Sequence, residues 1–437
     1  MITVIKRWFH RTTPARLLVL GFAGVMLLGG FLLWLPISRN PGTSVTFLDS
    51  LFEAVSAVCV TGLTVVPVGD TYNFFGRLVM GILIQIGGMG IVLLGIFLIL
   101  LAGGKLGFKT RSLFVQAQNL MGYVEIIKTA RKILRLMFGI EIIGALLCWP
   151  IFMENYDPLA AFGYACFHSV SAFNNAGFDI LGGFDSLSAY ANNFPMVAVT
   201  SILVIVGGFG FIAMMDVWNQ KFRWRPLLLN TKIVIVMTAG LLIGGTILLK
   251  VTTDQTWLEA WFQSVIARTA GFSTYPLAKY SRAAIMVFTI LMFIGASPNS
   301  TGGGVKTTTV FVAAVKAISS TTEHDEDSVF YRRIPDLVFS KAFVVLFFGM
   351  AVVLGGSFLV MIGNPEAGMD QVLVEVTSAF ATVGSSMGLT PTLSSFSKVV
   401  VIICMFIGRL GPVTIANLLV TGSEKAARYT EENVLIG

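Results

Sequence analysis

The chain has 437 residues, of which 55% are hydrophobic and 12% charged, about half the ~25% charged share of soluble domains. So few charges cannot cover a soluble globule of this size, which excludes a soluble enzyme, a disordered chain and a nucleic-acid binder as whole-chain readings. The net charge of +7 resides in short basic runs between apolar stretches, the pattern of a polytopic membrane protein.

In chain order, Lys6, Arg7, Arg11 and Arg16 precede an apolar stretch at 17–37 with no small-residue cleavage site, which reads as a retained first span. Further stretches of spanning length, about 20 residues, run over 74–102, 134–153, 195–218, 229–250, 283–316, 337–362 and 398–421. Eight spans are predicted. Connectors carrying Lys105, Lys109, Arg111, Lys128, Arg131, Lys132 and Arg135, then Lys221, Arg223, Arg225 and Lys232, Lys316, Arg332, Arg333 and Lys341, and finally Lys425 and Arg428, fall on the side of the basic N-terminus. Alternate connectors hold only Arg39, Arg77, Lys250, Lys279, Arg282 and Lys398. The positive-inside rule therefore puts both termini in the cytoplasm.

Each outer connector also holds a shorter apolar segment, at 47–59, 159–173, 256–267 and 369–380. A helix of about 12 residues is ~18 Å long, too short for a ~30 Å hydrocarbon core but suited to a re-entrant half-helix buried in protein. Every one ends in a short stretch with a glycine at the same offset: Val60-Thr61-Gly62-Leu63, Asn175-Ala176-Gly177-Phe178, Thr269-Ala270-Gly271-Phe272 and Thr382-Val383-Gly384-Ser385. Ser56, Ser171 and Ser378 stand six residues before three of these glycines, with Val265 in the remaining place. One such motif is ordinarily a packing glycine; four in register indicate four span–pore-helix–span repeats around a pseudo-fourfold pore, with boundaries at 1–105, 106–220, 221–330 and 331–437. The fold class is an all-α membrane protein.

The chemistry follows from dehydration. Backbone carbonyls can replace the hydration shell of a cation without fixed charge, and glycine permits the backbone angles that aim them at one axis. The half-helices would present their partially negative C-terminal ends to the cation, and the threonine side chains would add to the lining. The sixth span is interrupted by Ser297-Pro298-Asn299-Ser300-Thr301-Gly302-Gly303-Gly304, followed by Lys306, which cannot hold a helix and suits a cavity-lining loop; a passive kink is its rival. Arg268, Lys306 and Arg409 are basic residues at membrane depth, where charge marks function or braces structure, Arg268 by pairing with a carboxylate. Glu141 is the only carboxylate well inside a span, which disfavours a proton relay, and His168 reads as a packing residue. The outer acids, among them Asp49, Glu53, Asp179, Asp185 and Glu375, read mostly as solvated or helix-capping, and jointly they concentrate cations at the mouth. Cys59, Cys148, Cys166 and Cys404 have no metal-ligand spacing, and no enzyme constellation appears.

The four filter motifs, the broken sixth span and the last-span arginine resemble the Trk/Ktr/HKT superfamily of potassium transport proteins over nearly the whole chain, most closely the membrane subunits of bacterial Ktr systems. The resemblance implies a potassium-translocating protein of the bacterial plasma membrane with Gly62, Gly177, Gly271 and Gly384 as filter glycines. Glycine rather than serine at Gly62 implies potassium selectivity, the loop 297–306 a gate, and Arg409 a pore-modulating charge. It further implies a homodimer and a cytoplasmic ring of RCK subunits binding ATP or ADP, in keeping with the lack of a Rossmann-like domain here. The residues leave passive and sodium-coupled flux both open, with a coupled secondary cation transporter as the alternative.

Overall fold

The computed structural model describes residues 14–90, 126–321 and 328–411, with positions 93, 94, 96 and 97. One order of elements recurs: a long apolar helix, a short helix, a segment with a left-handed glycine, and a second helix. The first set is α1 (Pro14–Trp34), α2 (Phe47–Cys59) and α3 (Phe74–Met89). The second is α4 (Ile126–Phe152), α5 (Pro158–Phe173) and α6 (Phe194–Phe209) with its continuation α7 (Phe211–Asn219). The third is α8 (Leu229–Thr252), α9 (Trp257–Ile266), α10 (Arg282–Phe293) and, past a loop, α11 (Thr307–Ser319). A hairpin of β1 (Ser328–Val329) and β2 (Arg332–Arg333) leads to the fourth set, α12 (Asp336–Gly363), α13 (Met369–Ala381) and α14 (Ser395–Leu410).

The short helices coincide with the expected half-helices, and their starts are written in the sequence. Thr46 caps α2 and Thr256 caps α9, each in a reciprocal bond with an acid three residues on, Asp49 and Glu259. Every second helix begins behind a side-chain cap as well: Asn73, Asn193, Ser281 and Ser394 accept from the amides of Gly76, Met196, Ala284 and Ser397. Burial is inverted relative to a soluble bundle. In α2 every residue from Phe52 to Cys59 is buried, whereas Phe347 and Phe358 of α12 are 71% and 64% exposed. Apolar burial drives little association in lipid, so close backbone packing and internal hydrogen bonds hold such helices together.

Among the described residues four helices, α1, α4, α8 and α12, are long and apolar enough to cross a membrane, and the pair α6–α7, bent by 94°, makes a fifth if it is one span. The remaining expected spans are shorter or divided. The stretches expected at 74–102 and 398–421 form helix as far as Met89 and Leu410; their distal parts lie largely or wholly outside the described residues. So do Lys6, Arg7 and Arg11, the 105–111 cations, and Lys425 and Arg428. The stretch at 195–218 departs from its expected continuity: it breaks at Gly210, whose φ of 95° no helix contains. The amide freed at the break, Phe211 N–H, donates to the carbonyl of Asn299 in the interrupted sixth stretch (2.9 Å). The loop makes room for itself by turning α7 aside.

Candidate functional site

The segments that follow α2, α5, α9 and α13 share one backbone pattern. The residue two before each glycine, Val60, Asn175, Thr269 or Thr382, has φ between 52° and 75°. The glycines themselves, Gly62, Gly177, Gly271 and Gly384, have φ of 91°, 69°, 63° and 93°. Left-handed backbone is an outlier for β-branched Val60, Thr269 and Thr382, and such strain persists where surrounding structure over-determines it, typically at functional sites.

The four segments close a ring. A Cβ on Gly62 would strike the carbonyl oxygen of Ala176, one on Gly177 that of Ala270, one on Gly271 that of Val383, and one on Gly384 that of Thr61. Each glycine thus faces the carbonyl just before the next segment's glycine, in cyclic order, and no other residue type fits. The four carbonyl oxygens that the glycines face are those of Thr61, Ala176, Ala270 and Val383. Leu63, Phe178 and Phe272 have buried side chains that pack outward, Phe272 with its ring centroid 5.0 Å from that of His168, so only their backbones are available to a pathway. Ser385 is buried at the corresponding place.

The recurring serines hold the segments. Ser56 Oγ accepts from the Gly62 amide (3.1 Å) and Ser378 Oγ from the Gly384 amide (3.0 Å). Ser171 instead donates to the carbonyl of Phe178 (2.7 Å), occupying that oxygen. With Val265 in its place, the third segment lacks this bond and turns more tightly, the Phe272 amide donating to the carbonyl of Ala270 (2.8 Å). Above the ring lies an open cavity of about 450 Å³ lined by all four glycines, Asp179 and Asp185. Burial pushes the carboxyl of Asp179 up to about 6, against the stabilising amide of Leu181.

Beneath the ring runs the loop from Ile294 to Lys306. Ser297 and Thr301 donate through their amides to the carbonyls of Gly208 (3.1 Å) and Gly207 (3.3 Å) on α6. Thr301 Oγ1 donates to the carbonyl of Phe173 (3.3 Å) and lies as close to the side-chain amide of Asn175, which also contacts Thr269 Oγ1 (3.1 Å). The Gly303 amide donates to Thr382 Oγ1 (2.9 Å), and a Cβ on Gly302 would strike Thr269 Oγ1. The threonine hydroxyls expected to line the ring are in two cases turned to the loop. Pro298, Asn299 and Ser300 are half-buried; Gly304 has φ of 71° and abuts Ala381. Lys306 donates to the carbonyls of Gly302 (2.6 Å) and Gly303 (3.3 Å), and Arg409 to those of Thr301 and Gly87.

Arg268 does not have the carboxylate partner expected of it; among the described residues it donates to the carbonyl of Thr238 (3.5 Å). Glu141 joins a polar cluster behind the second segment, accepting from Asn174 (2.9 Å) and Gln85 (3.2 Å). One recurrence escaped the sequence reading. Gly87, Gly207 and Gly408 of the second helices each approach a carbonyl near the end of a short helix, those of Val58, Phe173 and Phe380, so closely that a Cβ would overlap it. The next residue is Gly88, Gly208 or Arg409, which gives Arg409 its place beside the loop. The signal was the repeated Gly-Gly pair at 87–88 and 207–208 and its Gly-Arg counterpart at 408–409.

A family model described as TrkH, cation transport protein, matches residues 31–428. The chain is 34% identical over 454 residues to the potassium/sodium uptake protein NtpJ of Enterococcus hirae, covering all of both chains. It is 35% identical to the Ktr system potassium uptake protein B of Vibrio alginolyticus, over 97% of this chain and 94% of that one. The crystal structure of the potassium transporter TrkH from Vibrio parahaemolyticus shares its fold, with a TM-score of 0.76 over 94% of this chain and 86% of that one at 19% identity.

Proposed function

Because the chain belongs to the TrkH family of cation transport proteins, within the Trk/Ktr group of potassium and sodium uptake transporters, we propose that it conducts potassium across the membrane through the ring formed by Thr61, Ala176, Ala270 and Val383. The single observation carrying this reading is the closed cyclic order of glycine against carbonyl around the four segments. A dehydrated cation needs oxygens on all sides, and neutral carbonyls supply them without trapping it. Eight crossings, in four repeats with boundaries at 1–105, 106–220, 221–330 and 331–437 and with both termini in the cytoplasm, are the architecture in which such a ring sits.

The loop 297–306 acts as the gate. It lies against the inner ends of three segments and is held by Lys306 and Arg409 through backbone carbonyls, contacts that a small displacement breaks together. Control by a cytoplasmic nucleotide-binding RCK ring, and assembly of two copies of this chain, complete the proposal; the relatives named as Ktr system proteins support it.

The test is ion flux into liposomes containing the purified chain. Potassium entry that saturates and exceeds sodium entry, with no sodium required, is the expected result. Entry that stops when sodium is withdrawn points to the coupled secondary transporter instead, and absence of potassium entry overturns the reading.

A further inference from the structure

Two of the outer acids expected to be solvated are completely buried. Glu53 and Glu375 occupy the same position in their repeats, nine residues before Gly62 and Gly384, and both are 0% exposed. Neither faces the cavity; each reaches forward to the stretch just beyond its own glycine. Glu53 Oε1 accepts from the amides of Val65 (2.8 Å) and Val66 (3.3 Å). Glu375 accepts from Ser386 Oγ through Oε2 (2.6 Å) and from Thr390 Oγ1 through Oε1 (2.5 Å). The corresponding residues of the other repeats are His168, which bonds Thr200 Oγ1 (2.9 Å), and Phe262, which carries no polar group.

A buried carboxylate is expensive unless its oxygens are bonded, so two retained at one repeat position call for a reason. The geometry gives two effects. Each carboxyl group ties the stretch beyond its glycine back to the short helix, which fixes the outer end of its segment and with it the spacing of the carbonyls below. Segments 1 and 4 are also neighbours in the ring, since Gly384 faces the carbonyl of Thr61. The same clamp therefore stands behind two adjacent quarters and behind neither of the others.

We propose that Glu53 and Glu375 are positioning residues for conduction, which set the preference of the ring among cations by clamping two adjacent segments at their outer ends. The inference rests on the function proposed above and assigns these carboxylates a part in it.

The experiment measures potassium and sodium flux in liposomes, at saturating ion and across a concentration series, for Glu53→Gln and Glu375→Gln. Glutamine keeps the volume and one acceptor but turns the other oxygen into an amide that only donates. Both variants are expected to conduct at saturating potassium, with half-saturation raised and potassium-over-sodium preference lowered by about fivefold, the effect of losing one hydrogen bond. Ser386→Ala, which keeps Glu375 and removes one clamp, should shift preference the same way, and Ser386→Thr, which keeps the hydroxyl, should restore it. The exposed Glu366→Gln on the same side is the control for general surface charge and should change nothing. If Ser386→Ala and either glutamine variant conduct with the half-saturation and preference of the unaltered chain, the inference is overturned while the proposed function stands. Absence of potassium flux in the unaltered chain overturns both.

Discussion

Arg409 and Thr301 lie far apart in sequence, yet the guanidinium of the first donates to the backbone carbonyl of the second while also holding Gly87 of α3. One side chain thereby ties the fourth repeat to the loop of the third and the helix of the first. Arginine suits the place because its planar fork serves two acceptors at once, where lysine offers a point charge. Arg409→Gln should therefore release the loop. A hydrogen bond to a charged group contributes about 1.5–3 kcal/mol, so potassium flux in the absence of any partner is expected to rise tenfold or more in liposomes. Arg409→Lys should fall between.

The Thr382 hydroxyl is both part of the fourth segment and the acceptor for the Gly303 amide. Thr382→Val keeps the shape and strands that buried amide, a cost of about 1–3 kcal/mol. Basal flux should rise as for Arg409→Gln, and deletion of residues 299–304 should raise it further. Lower or unchanged flux in a well-expressed deletion would remove the gating role.

Gly62→Ser places a Cβ against the carbonyl of Ala176 on backbone with φ of 91°. The neighbouring carbonyl has to retreat, so the ring loses its spacing there. Competition between potassium and sodium uptake in a transport-deficient cell should record reduced potassium preference; unchanged preference would detach Gly62 from selectivity.

Asp179 lines the cavity above the ring, and burial pushes its carboxyl up to about 6. Below that pH it is mostly neutral and above it mostly charged, so its attraction for cations is present at pH 7 and lost as the outside is acidified. Uptake from dilute potassium should fall as external pH drops through 6. Asp179→Asn should lower uptake at pH 7 and flatten this profile.

Gly207→Ala would drive a Cβ into the carbonyl of Phe173, whereas Gly240→Ala in α8 meets nothing within 4 Å. The first should lower the thermal unfolding temperature in detergent markedly. The second should leave it unchanged or raise it slightly, since alanine is favoured over glycine in a helix by about 1 kcal/mol.

The short helices and the left-handed glycines were legible because each follows from a local demand: an apolar run of limited length makes a short helix, and left-handed backbone selects glycine. The left-handed Val60, Thr269 and Thr382 were not, since β-branched residues carry no mark of a conformation imposed by their surroundings. The break at Gly210 was hidden for a similar reason. An apolar run containing Gly207, Gly208 and Gly210 reads as small residues packing, and only the loop that takes the freed Phe211 amide turns one of them into a corner. Glu53 and Glu375 read as solvated acids because their partners lie beyond the glycine, reachable only once the segment has folded back. Arg268 was expected to meet a carboxylate and meets the carbonyl of Thr238, a group that every residue carries and no sequence reading can single out.

Among the described residues the interrupting loop belongs to the third set of helices alone, and the third segment is also the one without a bracing serine. A ring assembled from four identical subunits would have to carry four such loops. Covalent linkage of the quarters removes that obligation. Each quarter is free to diverge, so a single chain can carry the loop in one, the arginine that fastens it in another, and leave the rest to hold the ring.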